Sequence, residues 1–106
     1  MKPAKLNLVI HQRATFRQSF DFGMDLSGYT VYAQVWDAAR RTQYASFTVQ
    51  WTAQASGQFD LVLPYATTSD LKKDAVWDLL LEQPDGERYY YLEGDVTIDL
   101  GYSAPA

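Results

Sequence analysis

Two apolar runs flank Gln-Pro-Asp-Gly-Glu within residues 75–100, AVWDLLLEQPDGERYYYLEGDVTIDL, and no other stretch constrains the fold as much. Proline pre-sets φ for a turn and glycine accepts the left-handed position, so this segment reads as a β-hairpin. Pro84 cannot take the positive φ of a two-residue type I′ turn. The sequence therefore predicts a type I turn on Pro84-Asp85 with Gly86 as a left-handed bulge residue, pairing Glu82 with Arg88 across the ladder. In that register Trp77, Leu79 and Leu81 share a face with Tyr89 and Tyr91. Val96, Ile98 and Leu100 take the opposite parity, so a second bulge is expected near Glu93-Gly94.

The rest of the chain repeats this grammar. Residues 5–10 read as a first strand. Residues 15–22 alternate with Phe16, Phe20 and Phe22 on one face, and residues 29–37 with Val31, Ala33 and Val35 on one face. Residues 44–51 place Phe47, Val49 and Trp51 in phase, and residues 58–63 do the same for Phe59, Leu61 and Leu63. Pro64 closes that strand, and a single hydroxyl-capped helical turn is expected near 67–72. Short strands at this spacing predict an all-β, immunoglobulin-like antiparallel sandwich of about seven strands. The 106 residues fit one domain, 1–106, with a loose tail from about residue 101.

Composition excludes more than it assigns. The net charge of −4 argues against a nucleic-acid phosphate partner. No cysteine is present, so disulfides, thiolate catalysis and Cys-based metal sites are ruled out. His11 is the single histidine, which leaves no His-paired triad and no multi-His site. The aspartates fall at turns or on polar strand faces, and the glycines stand singly, outside any phosphate-cradling loop. The N-terminal apolar run is too short for a signal peptide, and no segment approaches a membrane span. The expectation is a protein that is not an enzyme, with no catalytic residues, no cofactor and no metal.

The aromatics carry the functional leverage. Period-two phasing assigns Phe16, Phe20, Phe47, Phe59 and Trp77 to the core. Tyr32, Trp36, Tyr44, Tyr65 and either Tyr89 with Tyr91 or Tyr90 are left over, and the basic pair Arg40-Arg41 lies between two of them. Grouped exposed Tyr, Trp and Arg mark a protein interface, so Tyr32, Trp36, Arg40, Arg41, Tyr44, Tyr65 and Tyr90 are the candidate binding set. An alternative is a carbohydrate-binding module in which Trp36, Tyr44 and Trp51 form a coplanar strip that stacks on sugar rings.

The order of FRQSFDF, DLSGYTVYAQVWD, ASGQFDLVLPYATTSDL and AVWDLLLEQPDGERYYYLEGDVTI resembles small β-sandwich modules of bacteriophage virion proteins, similar to the N-terminal anchoring domains of tail-fibre and baseplate proteins. The DLSGY and LEGDVTI pieces carry most of the resemblance. It implies a structural virion component, here free-standing. Such a component would decorate or cement the capsid, or act as a neck or tail adaptor, after assembly in the host cytoplasm. The partners it implies are other virion proteins and further copies of itself, with neither nucleic acid nor membrane. It supplies no catalytic residues.

Overall fold

In the computed structural model, which describes residues 3–101, the alternating segments become nine strands. These are β1 (Ala4–Lys5), β2 (Leu8–His11), β3 (Phe16–Asp21), β4 (Thr30–Trp36), β5 (Gln43–Ser46), β6 (Thr48–Ala53), β7 (Gln58–Leu63), β8 (Ala75–Glu82) and β9 (Arg88–Asp99). The larger sheet runs β1-β9-β8-β4-β5, with β2 also pairing β9, and the smaller runs β3-β7-β6. Their inner faces share one hydrophobic core, which makes the protein an all-β, immunoglobulin-like sandwich.

Alternation decides what enters that core. β8 buries Ala75, Trp77, Leu79 and Leu81, β4 buries Val31, Ala33 and Val35, and β7 answers from the other sheet with Phe59, Leu61 and Leu63. Phe16, Phe47, Phe59 and Trp77 are buried as the phasing predicts, and Phe20 packs half-buried against them. Trp77 is 1% exposed, and its indole N–H donates to the Leu6 carbonyl at 2.7 Å. The largest core side chain thus has its one polar atom satisfied.

The hairpin turn has the predicted chemistry. The Gly86 N–H donates to the Gln83 carbonyl at 2.9 Å, and Gln83 N–H to Glu87 at 2.7 Å, with Gly86 left-handed at φ 92°. Glu82 pairs with Arg88, and their side chains meet at 3.1 Å.

Several boundaries differ from the sequence reading. The second bulge falls at Tyr91, not at Glu93-Gly94. Leu79 faces Leu92 and Leu80 faces Tyr90, so Tyr91 is the extra residue. Gly94 stays in register opposite Trp77, and its lack of a side chain is required there because a Cβ would overlap the Leu6 carbonyl. The strand expected at 5–10 is split into β1 and β2, both parallel to β9. Between them Asn7 leaves the ladder and accepts the Asp95 N–H on its side chain at 3.0 Å. The strand expected at 44–51 is likewise two strands, β5 in one sheet and β6 in the other, with Phe47 at the crossing. The helical turn, α1 (Tyr65–Thr68), starts directly after Pro64, ahead of the expected position. A further 3₁₀ turn at Gln54–Ser56 precedes a left-handed Gly57. The expected loose tail lies outside the described residues, apart from Gly101.

Candidate functional site

The outer face of the larger sheet is read row by row from its register. Across β4, β8 and β9 the outward rows are Thr30–Glu82–Arg88, Tyr32–Leu80–Tyr90, Gln34–Asp78–Glu93 and Trp36–Val76–Asp95. The Tyr91 bulge makes this face possible. Residues three apart normally point to opposite sides of a strand, and the extra residue lets Tyr90 and Glu93 both point outward. Tyr32 and Tyr90 are 43% and 51% exposed. Trp36 is half-buried, and its indole N–H is held by the Gln34 side chain at 3.0 Å.

Asp78 sits at the centre of this face. Three shallow hollows open here, and all three are lined by Asp78 and Tyr90. One of about 240 Å³ is bounded by Trp36, Arg40, Asp78 and Tyr90. The Asp78 side chain is half-buried and has no hydrogen-bond partner among the described residues. Burial pushes its carboxyl above the usual carboxylate range, Arg40 draws it back, and Glu93 across the ladder pushes it further up. Glu93 itself is held by Lys5 at 2.9 Å.

Arg40 reaches the site from the β4–β5 turn. The Asp37 carboxylate accepts the N–H groups of Arg41 and Thr42 at 2.6 and 2.8 Å, chiefly the latter holding its pKa below the usual range. The Arg40 N–H donates to the Asp37 carbonyl at 2.8 Å, and Arg40 itself is left-handed at φ 58°. Arg13 shares this conformation at φ 68°, but its guanidinium is committed to the carbonyls of Leu100 and Gly101. The Arg40 guanidinium forms no hydrogen bond or close ion pair with the described residues.

The outer face of the smaller sheet is chemically opposite. Asp60 accepts hydrogen bonds from Ser19 at 2.7 Å and from Arg17 at 2.9 Å, and these hold its carboxyl below the usual range. Arg17 also bonds Gln50 at 2.8 Å. Beside Val62, which lies under this layer, that face is polar and its central charges are paired.

Of the seven candidate residues, the fold brings together Tyr32, Trp36, Arg40 and Tyr90. Arg41 remains on the turn with its backbone bonded to Asp37. Tyr44 lines a separate hollow with Asp70, Lys72 and Lys73. Tyr65 opens α1, is 64% exposed, and lines none of these hollows. Sequence reasoning missed Asp78, Gln34 and Arg88. The signal for Asp78 was available: it is the one charge inside the apolar run AVWDLLL. Trp36, Tyr44 and Trp51 do not form a strip, because Trp51 points into the core against Phe59 at 5.4 Å. Among the described residues no group of three or more His, Asp or Glu is placed to hold a metal ion.

No family model matches the chain, and no curated protein does. Among solved structures it is similar to CopC from Methylosinus trichosporium OB3b, at 14% identity and a TM-score of 0.54, over 92% of this chain and 90% of that one. At that identity the likeness carries the fold alone. It points to CopC rather than to a phage structural protein, and this overturns the expectation of a virion component. The structure accounts locally for the pieces that suggested it. In DLSGY, Asp25 accepts the Ser27 N–H at 2.8 Å, Leu26 is fully buried, and Gly28 is left-handed at φ 80°. In LEGDVTI, Gly94 clears the Leu6 carbonyl while Val96 and Ile98 enter the core. Turn and packing requirements of a sandwich account for both pieces, and the chain is a β-sandwich similar in fold to CopC.

Proposed function

We propose that this protein is a non-catalytic binding domain that docks a protein partner through the outer face of its larger sheet. The contrast between its two outer faces carries the reading. One is a self-satisfied polar network around Asp60, while the other sets Tyr32, Trp36, Val76, Leu80 and Tyr90 around an unbonded Asp78. Both sheets need alternation only to fill the core, and nothing in folding requires aromatics on a solvent-facing side. Aromatic and arginine side chains around a partly dry centre are the composition of an interface core.

Site-directed photo-crosslinking tests this in the cells that make the protein. A photoreactive phenylalanine at position 32 or 90 is expected to form crosslinks to protein, and Trp36→Ala in the same chain should abolish them. The same group at position 19, on the opposite face, should form none. Equal crosslinking from both faces, or none from positions 32 and 90, rules the proposal out.

A further inference from the structure

We infer that the occupant of this face is a second copy of the same chain, docked about a two-fold axis so that Arg40 of each copy meets Asp78 of the other. The inference rests on the reading of this face as a protein-docking surface and commits it to one partner. A two-fold interface must be self-complementary, carrying both halves of every contact it makes. This face does so. It holds a cation and a carboxylate without close partners, Arg40 and Asp78, side by side around the same hollow.

The charge distribution supports the same partner. The chain carries −4, so copies repel in general. On this face Lys5, Arg40 and Arg88 balance Asp78, Glu82 and Glu93, and Asp95 alone stands beyond them at the margin. Two copies can approach here without the repulsion they meet elsewhere. The described residues span 46 × 29 × 19 Å, a slab whose broad side is large enough for the ~800 Å² per partner of an ordinary interface. Docking would cover Tyr32 and Tyr90, and would give Asp78 the counter-charge that its own chain holds too far away to bond.

Arg40 also sits where the turn favours glycine. In the β8–β9 hairpin the left-handed position is occupied by Gly86, whereas the β4–β5 turn keeps an arginine there. Strained backbone of this kind clusters at working sites. From this left-handed position the Arg40 side chain lines the rim of the hollow.

Sedimentation velocity of the full chain, read at several concentrations at neutral pH, tests the inference. The wild type is expected to show a dimer. Arg40→Asp and Asp78→Arg should each raise the dissociation constant more than about tenfold, since each turns two attractive pairs into two repulsive ones. The double variant, carrying both changes in one chain, should regain the dimer. An equimolar mixture of the two single variants should pair as a heterodimer. Arg40→Asp makes the chain more acidic and Asp78→Arg makes it less so. A general charge effect would therefore move them in opposite directions, whereas the interface predicts loss in both. Aspartate tolerates the left-handed position, residue 78 faces outward, and urea midpoints report whether each variant folds.

A wild type that stays monomeric to about 100 µM overturns the inference, because that range covers ordinary homodimer affinities. So does a dimer indifferent to either single change, or a double variant that fails to recover. A monomeric wild type that still forms crosslinks from positions 32 and 90 to a different protein would sink the second copy and leave the docking face standing. Absence of both would sink the two together.

Discussion

Arg40 and Trp77 show how a single residue is placed by opposing requirements. A non-glycine residue in the left-handed region costs on the order of 1–3 kcal/mol, and Arg40 bears that cost with its backbone N–H bonded to the Asp37 carbonyl but its guanidinium unbonded. Arg40→Gly relieves that strain but loses more chain entropy on folding, and is therefore expected to raise the stability of the dilute monomer by about 0.5–2 kcal/mol in urea unfolding while weakening self-association. A fall in stability would mean that packing of the Arg40 stem against Trp36 and Tyr90 outweighs the backbone strain. Trp77 shows the converse, a buried group fully committed. Trp77→Phe preserves much of the ring but leaves the Leu6 carbonyl without its donor, and is expected to cost about 1–3 kcal/mol in the same measurement. The inward phase of Trp77 is legible from its neighbours Leu79 and Leu81. Its bond to Leu6 is not, because 71 residues separate them and only the fold joins them.

At the scale of elements, period-two alternation survives events that it cannot reveal. Ala45, Phe47, Val49 and Trp51 alternate without a break, yet the chain changes sheet at Phe47. Both sheets face one core, so inward side chains stay in phase across the crossing and the sequence shows a single strand. Tyr89-Tyr90-Tyr91 hides the bulge for a different reason: three identical residues carry no parity. Gly94, the nearer cue, serves another purpose, since it lets β9 pass close to Leu6 between β1 and β2. That assignment predicts a large effect from one methyl group. Gly94→Ala should force the Leu6 carbonyl away, disturb its bond to Trp77, and cost about 1–3 kcal/mol. Amide exchange should quicken in β1 and β2 before the β8–β9 turn. Unchanged protection of both strands would show that the N-terminal segment is held by β2 pairing alone. Tyr32, Trp36 and Tyr90 were legible as candidates because outward parity exposes them. Their convergence around Asp78 was not, because it requires the bulge and the β4–β8–β9 strand order.

For the whole molecule, the two outer faces and the loops combine into one pH dependence with opposing parts. Asp25, Asp37 and Asp60 each have folded pKa values below the ordinary carboxylate value of 3.8. Side-chain and backbone bonds to Ser27 lower Asp25, the Thr42 N–H lowers Asp37, and Ser19 with Arg17 lowers Asp60. Because the unfolded chain binds these protons first, the three groups stabilise the fold above about pH 4, and that contribution drains away as pH falls through their lowered values. Asp78 has the opposite sign. Its folded value is raised, so the folded state takes up its proton first, and its ionisation weakens the fold as pH rises from 3.8 through that raised value. Acidification below about pH 4 therefore drains the contribution of the first three while it relieves the unfavourable ionisation of Asp78. Two variants separate the contributions. Asp60→Asn should lower the midpoint at neutral pH and flatten the acid decline, since an amide keeps some of the bonds but none of the charge. Asp78→Asn should raise the monomer's midpoint at neutral pH and change it little at pH 3, where the wild-type carboxyl is already protonated. If Asp78→Asn instead lowered stability at neutral pH in dilute monomer, the carboxylate would have to be bonded within its own chain, and the unpaired charge at the centre of the larger sheet would no longer be a feature of this fold.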